Sequence, residues 1–91
     1  MSLFPLTEKT VEIRGKTLTI REWTPAERKE SSRLRKSEDP EAAVLHMVAT
    51  CVVAPRMTVD DLRGYPVAVV DELLSAILDL NGLDEPDEKN D

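Results

Sequence analysis

Apolar and polar residues alternate through Thr10-Val11-Glu12-Ile13-Arg14-Gly15-Lys16-Thr17-Leu18-Thr19-Ile20-Arg21, where β-branched residues dominate and one glycine interrupts the run. This pattern predicts a β-hairpin over about residues 10–22 that turns near Gly15. Val11, Ile13, Leu18 and Ile20 share one face, and Glu12, Thr17, Thr19 and Arg21 the other. A two-stranded hairpin is marginal alone, so helices must cover its apolar face. Beyond Trp23 the period lengthens. Thr24-Pro25-Ala26-Glu27 joins an N-cap threonine, a proline whose missing N–H costs nothing there, and a glutamate able to bond back to the cap. A helix over about 25–36 follows, mostly solvated, with only Ala26 and Leu34 to bury.

Asp39-Pro40 repeats the start signal, and the next segment is apolar almost all round: Ala42, Ala43, Val44, Leu45, Met47, Val48, Cys51, Val52 and Val53, before Pro55 ends it. Only His46 and Thr50 give this helix, about 40–54, a polar stripe. Such a helix asks for burial on nearly every side, more than so small a domain easily provides. Thr58-Val59-Asp60-Asp61 opens a short helix over about 58–63, which Gly64 ends. A last helix, about 66–81, carries Val67, Val70, Leu73, Leu74, Ile77, Leu78 and Leu80 opposite Asp71, Glu72, Ser75 and Asp79. Asn81-Gly82 supplies its left-handed stop, with Leu83 folding back as the hydrophobic contact. Residues 84–91 hold five acids, one lysine and no apolar residue, which predicts a disordered acidic tail. The fold class expected is α+β, mostly α: an N-terminal hairpin packed on three or four helices, in a single small domain over 1–83.

Composition narrows this picture. At 91 residues there is no room for two full domains. Charged residues make up 33 %, against roughly 25 % in an average domain. Cys51 is the only cysteine, so no internal disulfide can form, and there is no signal-like or membrane-length apolar run. Both features fit a cytoplasmic protein. The net charge of -6 opposes general attraction to nucleic acid or anionic lipid.

Little reaction chemistry is visible. His46 and Cys51 are each the sole residue of their type, and their spacing makes neither a zinc motif nor a dyad, since five positions along a helix put them on different faces. Asp60-Asp61 and Asp71-Glu72 sit in a first helical turn and on a polar face, where dipole and solvation explain them. Three glycines in the whole chain allow no phosphate-cradling loop. No metal, cofactor or catalytic residue is expected, and an enzyme is the least favoured class. The one unusual charge feature is the helix bearing Arg28, Lys29, Arg33, Arg35 and Lys36 against Glu27 and Glu30, a partner-facing surface or an ordinary solvated face. A regulatory nucleic-acid binder is a third reading of it, disfavoured because Phe4, Trp23 and Tyr65 are too scattered to form a stacking platform. Trp23, between hairpin and helix, is placed to pack the strands onto the helices.

The motif Val11-Glu12-Ile13-Arg14-Gly15-Lys16 running into Ile20-Arg21-Glu22-Trp23-Thr24-Pro25-Ala26-Glu27, several helices, and the end Leu80-Asn81-Gly82-Leu83 together resemble the tail assembly chaperones of long-tailed bacteriophages, over about residues 8–83. The resemblance implies a small helical protein of the host cytoplasm, absent from the mature virion. Its clients would be the aggregation-prone tape measure protein and the tail tube protein polymerising around it. It also implies a longer product made by ribosomal frameshifting, for which Glu88-Lys89-Asn90 can be encoded by a slippery heptamer. Surplus apolar helix surface suits such a role, and periodicity singles out Val44, Val48, Val52, Val70 and Ile77 as a client or homo-oligomer interface. The same periodicity also defines an ordinary core. The rival reading is a structural virion component, such as a head-to-tail connector or tail terminator subunit.

Overall fold

The computed structural model describes residues 3–37 and 39–82. The expected tail at 84–91, the Leu83 contact and the Glu88-Lys89-Asn90 stretch lie outside them. Strands β1 (Glu8–Ile13) and β2 (Lys16–Arg21) form the expected antiparallel hairpin, with Val11 opposite Leu18 and Ile13 opposite Lys16. That register leaves a two-residue turn in which Arg14 and Gly15 have φ of 53° and 80°. Both central residues are left-handed, the turn whose twist matches the flanking strands. Glycine adopts this conformation without penalty, and Arg14 adopts it against the usual preference of a side chain. Ile13, Leu18 and Ile20 point into the core and Val11 is partly buried, as the alternation predicts.

Four helices follow: α1 (Pro25–Arg35), α2 (Pro40–Cys51), α3 (Val59–Arg63) and α4 (Val67–Leu80). Three of their start signals act as expected. Thr24 Oγ1 accepts from the Glu27 amide at 3.2 Å while Glu27 Oε1 accepts from the Thr24 amide at 3.0 Å. Thr58 and Asp61 repeat this reciprocal cap at 3.0 and 2.9 Å, and Asp39 caps α2 through Ala42 at 3.3 Å. Gly82, with φ 72°, makes the left-handed turn after α4.

Two expectations fail. The second helix does not reach residue 54: it ends at Cys51, and Val52–Ala54 become strand β3, antiparallel to β2. The sheet order is therefore β1-β2-β3, with β2 central. Thr19 pairs with Ala54 and Ile20 with Val52, so Val53 is an extra residue, a β-bulge that bends this short edge strand. Local chemistry explains the switch. Val52 and Val53 are β-branched, and the residue before Pro55 is driven away from helical geometry. The second miss is in α1, where Ala26 is exposed, Leu34 half-buried, and Ser31 the buried residue.

The core lies between the apolar face of the sheet and α2 with α4. Ile20, Val48, Cys51, Val52, Leu62, Leu73 and Ile77 are fully enclosed in it. α1 packs chiefly on α2, away from the sheet. Asn81 ties the end of α4 to the strand–helix junction: its Oδ1 accepts from the Trp23 amide at 2.9 Å, and its Nδ2 donates to the Ile77 carbonyl at 2.8 Å.

Candidate functional site

The hairpin's tip, the segment after β3 and the start of α4 are far apart in sequence but meet around an apolar groove of about 500 Å³. Ile13 and Leu18 line it from the hairpin with Arg14, Lys16 and Thr17, Pro55 and Met57 from the segment after β3, and Tyr65, Pro66, Val69 and Leu73 from the start of α4. Two of these contributions have a local cause. The tight Arg14-Gly15 turn holds Ile13 and Leu18 at the strand ends, while Pro66, at the N-cap of α4, sets Tyr65 beside the first turn of that helix. Tyr65 also borders a second, smaller cleft of about 270 Å³ with Val44, Leu62, Val67 and Val70. Val67 is 75 % exposed and Tyr65 40 %, so the two depressions join through side chains that core packing leaves in water.

The five expected interface residues divide accordingly. Val48, Val52 and Ile77 are at most 1 % exposed and belong to the domain's own core, which leaves them no surface to offer a partner. The helix that was to display Val52 ends before it, so the interface expected of this residue is corrected: it faces inward from β3 onto Ile20's strand. Val70 is 8 % exposed and Val44 half-buried, and both line the second cleft. Sequence periodicity did not reach the groove itself, because its walls come from three segments with no common period. Its one visible sign is the cluster of exposed apolar residues and prolines between Pro55 and Val67.

The basic helix is less uniform than its sequence. Arg33 forms a two-point ion pair with Glu30, through Nε–Oε1 at 3.1 Å and a shorter contact from Nη2 to Oε2. Arg28, Lys29, Arg35 and Lys36 are exposed and, among the described residues, take part in no ion pair. Arg28 and Lys29 line a hollow of about 420 Å³ with Trp23, Thr24, Pro25, Ser32 and Asn81. Across the junction of β2 and α1, Arg21 binds both oxygens of Glu27 at 3.0 and 2.8 Å and also donates to the Glu22 carbonyl at 2.8 Å. Hydrogen bonding to Arg21 holds the Glu27 carboxyl below its ordinary value, while the same bond raises the Arg21 guanidinium. Glu27 thus serves the helix cap and the ion pair together.

His46 is half-buried and Cys51 enclosed. Burial pushes the Cys51 thiol up to about 11, so at neutral pH it is protonated and a poor nucleophile. Among the described residues no group of three or more His, Cys, Asp or Glu side chains is placed to hold a metal, and no helix is long and apolar enough to cross a membrane.

These features define a small α+β domain with an open apolar groove at one end of α4 and a basic, tryptophan-bordered hollow at the other. Comparison with protein-family models, curated proteins and solved structures finds no match.

Proposed function

We propose that this protein is a non-catalytic assembly chaperone of the kind used in long-tailed phage tail assembly. It acts in the host cytoplasm, holds apolar segments of the tape measure protein, and stays out of the finished particle. The observation that supports this reading is the groove between the hairpin tip and α4, where Met57, Tyr65, Pro66 and Val69 keep apolar surface in water beside the mostly buried Ile13 and Leu18, with Arg14 and Lys16 in the same lining. A client helix can lay an apolar stripe there, the mode in which grooves of this kind bind amphipathic segments. Binding removes client surface from water, and mass action then lowers the concentration of aggregation-prone chain. Net negative charge keeps the complex dispersed. Client binding therefore rests on Tyr65, Val69 and Met57 with Val44 and Val70 at the margin, in place of the fully buried Val48, Val52 and Ile77.

Co-expression with the tape measure protein encoded nearby, followed by size-exclusion chromatography, tests the proposal. The expected result is a soluble complex formed only when both proteins are present, and lost on Val69→Asp without loss of the far-ultraviolet circular dichroism of this chain. An insoluble tape measure protein beside this protein eluting alone overturns it. Recovery of this chain from purified particles would favour the structural virion component instead.

A further inference from the structure

The hollow at the start of α1 lies apart from the groove and is bordered by two cations. Arg28 and Lys29 project beside Trp23 without a carboxylate partner among the described residues, and Arg28, Ser32 and Arg35, at i, i+4 and i+7, extend the same face along the helix. The hollow also includes Asn81, which its bonds to Trp23 and Ile77 fix in place. Only Gly82 and Leu83 separate Asn81 from Asp84-Glu85-Pro86-Asp87-Glu88, and residues 84–91 carry four of the chain's six net negative charges. Their point of attachment is therefore beside a helix face that carries Arg28, Lys29 and Arg35 without ion-pair partners among the described residues.

We propose that this face is an acidic-peptide site and that its occupant is the chain's own Asp84–Glu88 stretch, bound in cis along α1. Lengths agree: five extended residues span roughly 17 Å, and the eleven residues of α1 rise about 16 Å. A two-residue tether gives the stretch an effective concentration far above that of a free acidic partner. Arg28, Lys29 and Arg35 receive carboxylates, Trp23 backs Pro86, and the basic helix is withheld from other polyanions until one of them displaces the stretch. Binding of this kind is electrostatic and weakens with salt.

The test uses the full chain, with a nitroxide on the Asn90→Cys variant; Cys51 is enclosed and does not compete for the label. Expected is loss of most amide signal intensity at Arg28, Lys29 and Ser32, with Ile13 and Val69 in the groove unaffected. Raising the salt to about 0.5 M should restore it, as should the added changes Asp84→Asn, Glu85→Gln, Asp87→Asn and Glu88→Gln, which lie outside the described fold. The indole signal of Trp23, the only tryptophan, should move in parallel. Undiminished signals on α1, or broadening spread evenly over the surface, would overturn the proposal. Broadening that vanishes on dilution would do so too, because the stretch would then come from a second copy.

Discussion

Helices α1 and α4 have eleven and fourteen residues and both rest against α2, but different forces hold them. α4 drives Val70, Leu73 and Ile77 into the core and touches both strands of the hairpin. At roughly 1.5 to 3 kcal/mol for each fully buried aliphatic side chain, that face alone contributes several kcal/mol. α1 buries Ser31 and little else, and is fastened at its first turn by the Thr24–Glu27 cap and the Arg21–Glu27 pair. One helix is held by aliphatic burial along its length, while the other lies against α2 with only Ser31 fully buried and is tied to β2 through its first turn. Opening of the last turns of α1 should therefore cost much less than global unfolding.

The strongest test of this contrast compares Ile77→Ala on α4 with Leu34→Ala on α1 by urea denaturation. The first is expected to cost about 3 kcal/mol, as truncations of fully enclosed side chains do, and the second under about 1 kcal/mol. Equal costs would erase the distinction. The shared support, α2, can be probed through Cys51. An unfolded thiol ionises near about 8.5 and the folded one only at about 11, so stability is full below the lower value and falls as pH rises between them. The loss should approach about 3 kcal/mol in the native chain, and the pH-dependent difference should disappear in Cys51→Ala.

Glu27 reports on the polar fastening. Its folded carboxyl titrates below its unfolded value, so its contribution is present above the unfolded value, about 4.3, and is lost as pH falls through the folded one. Glu27→Gln should cost about 1 kcal/mol at neutral pH and flatten the acid limb of the stability curve. Hydrogen exchange should place the lost protection in α1. The smallest effect has the opposite sign. Ser31 Oγ is buried without a hydrogen-bond partner among the described residues. Ser31→Ala removes that unmet demand and favours helix, so a gain of about 0.5 to 1 kcal/mol is expected in thermal melts. A loss would mean that the hydroxyl is satisfied in solution.

Elements specified by neighbouring residues were legible in the sequence: the hairpin in its alternation, α1 and α3 in their reciprocal caps, and the end of α4 in Asn81-Gly82. β3 was misread because Val52 and Val53 continue the apolar run of α2, and periodicity alone does not say that an open edge of β2 will claim them. The β-branched pair ahead of Pro55 was the available warning. The candidate site was less legible. Exposure and charge marked Arg28 and Lys29, but the pairing of Arg33 with Glu30, the burial of Val48, Val52 and Ile77, and the convergence of Ile13 with Tyr65 depend on how elements pack. The contact between Trp23 and Asn81 spans 58 positions and has no local signature.

That contact also makes the fold nearly circular. Glu22 donates its amide to the Thr7 carbonyl at 3.0 Å, and its carboxylate accepts from the Thr7 amide at 2.8 Å. The next residue, Trp23, holds Asn81. Thr7 and Asn81 are thus moored to adjacent residues, close enough for a linker of about four residues to join them. A permuted chain, joined there and reopened at the exposed Gly64–Tyr65 connection, should retain every core contact and the same three-stranded sheet. The order in which the chain is threaded would change, while the architecture would not.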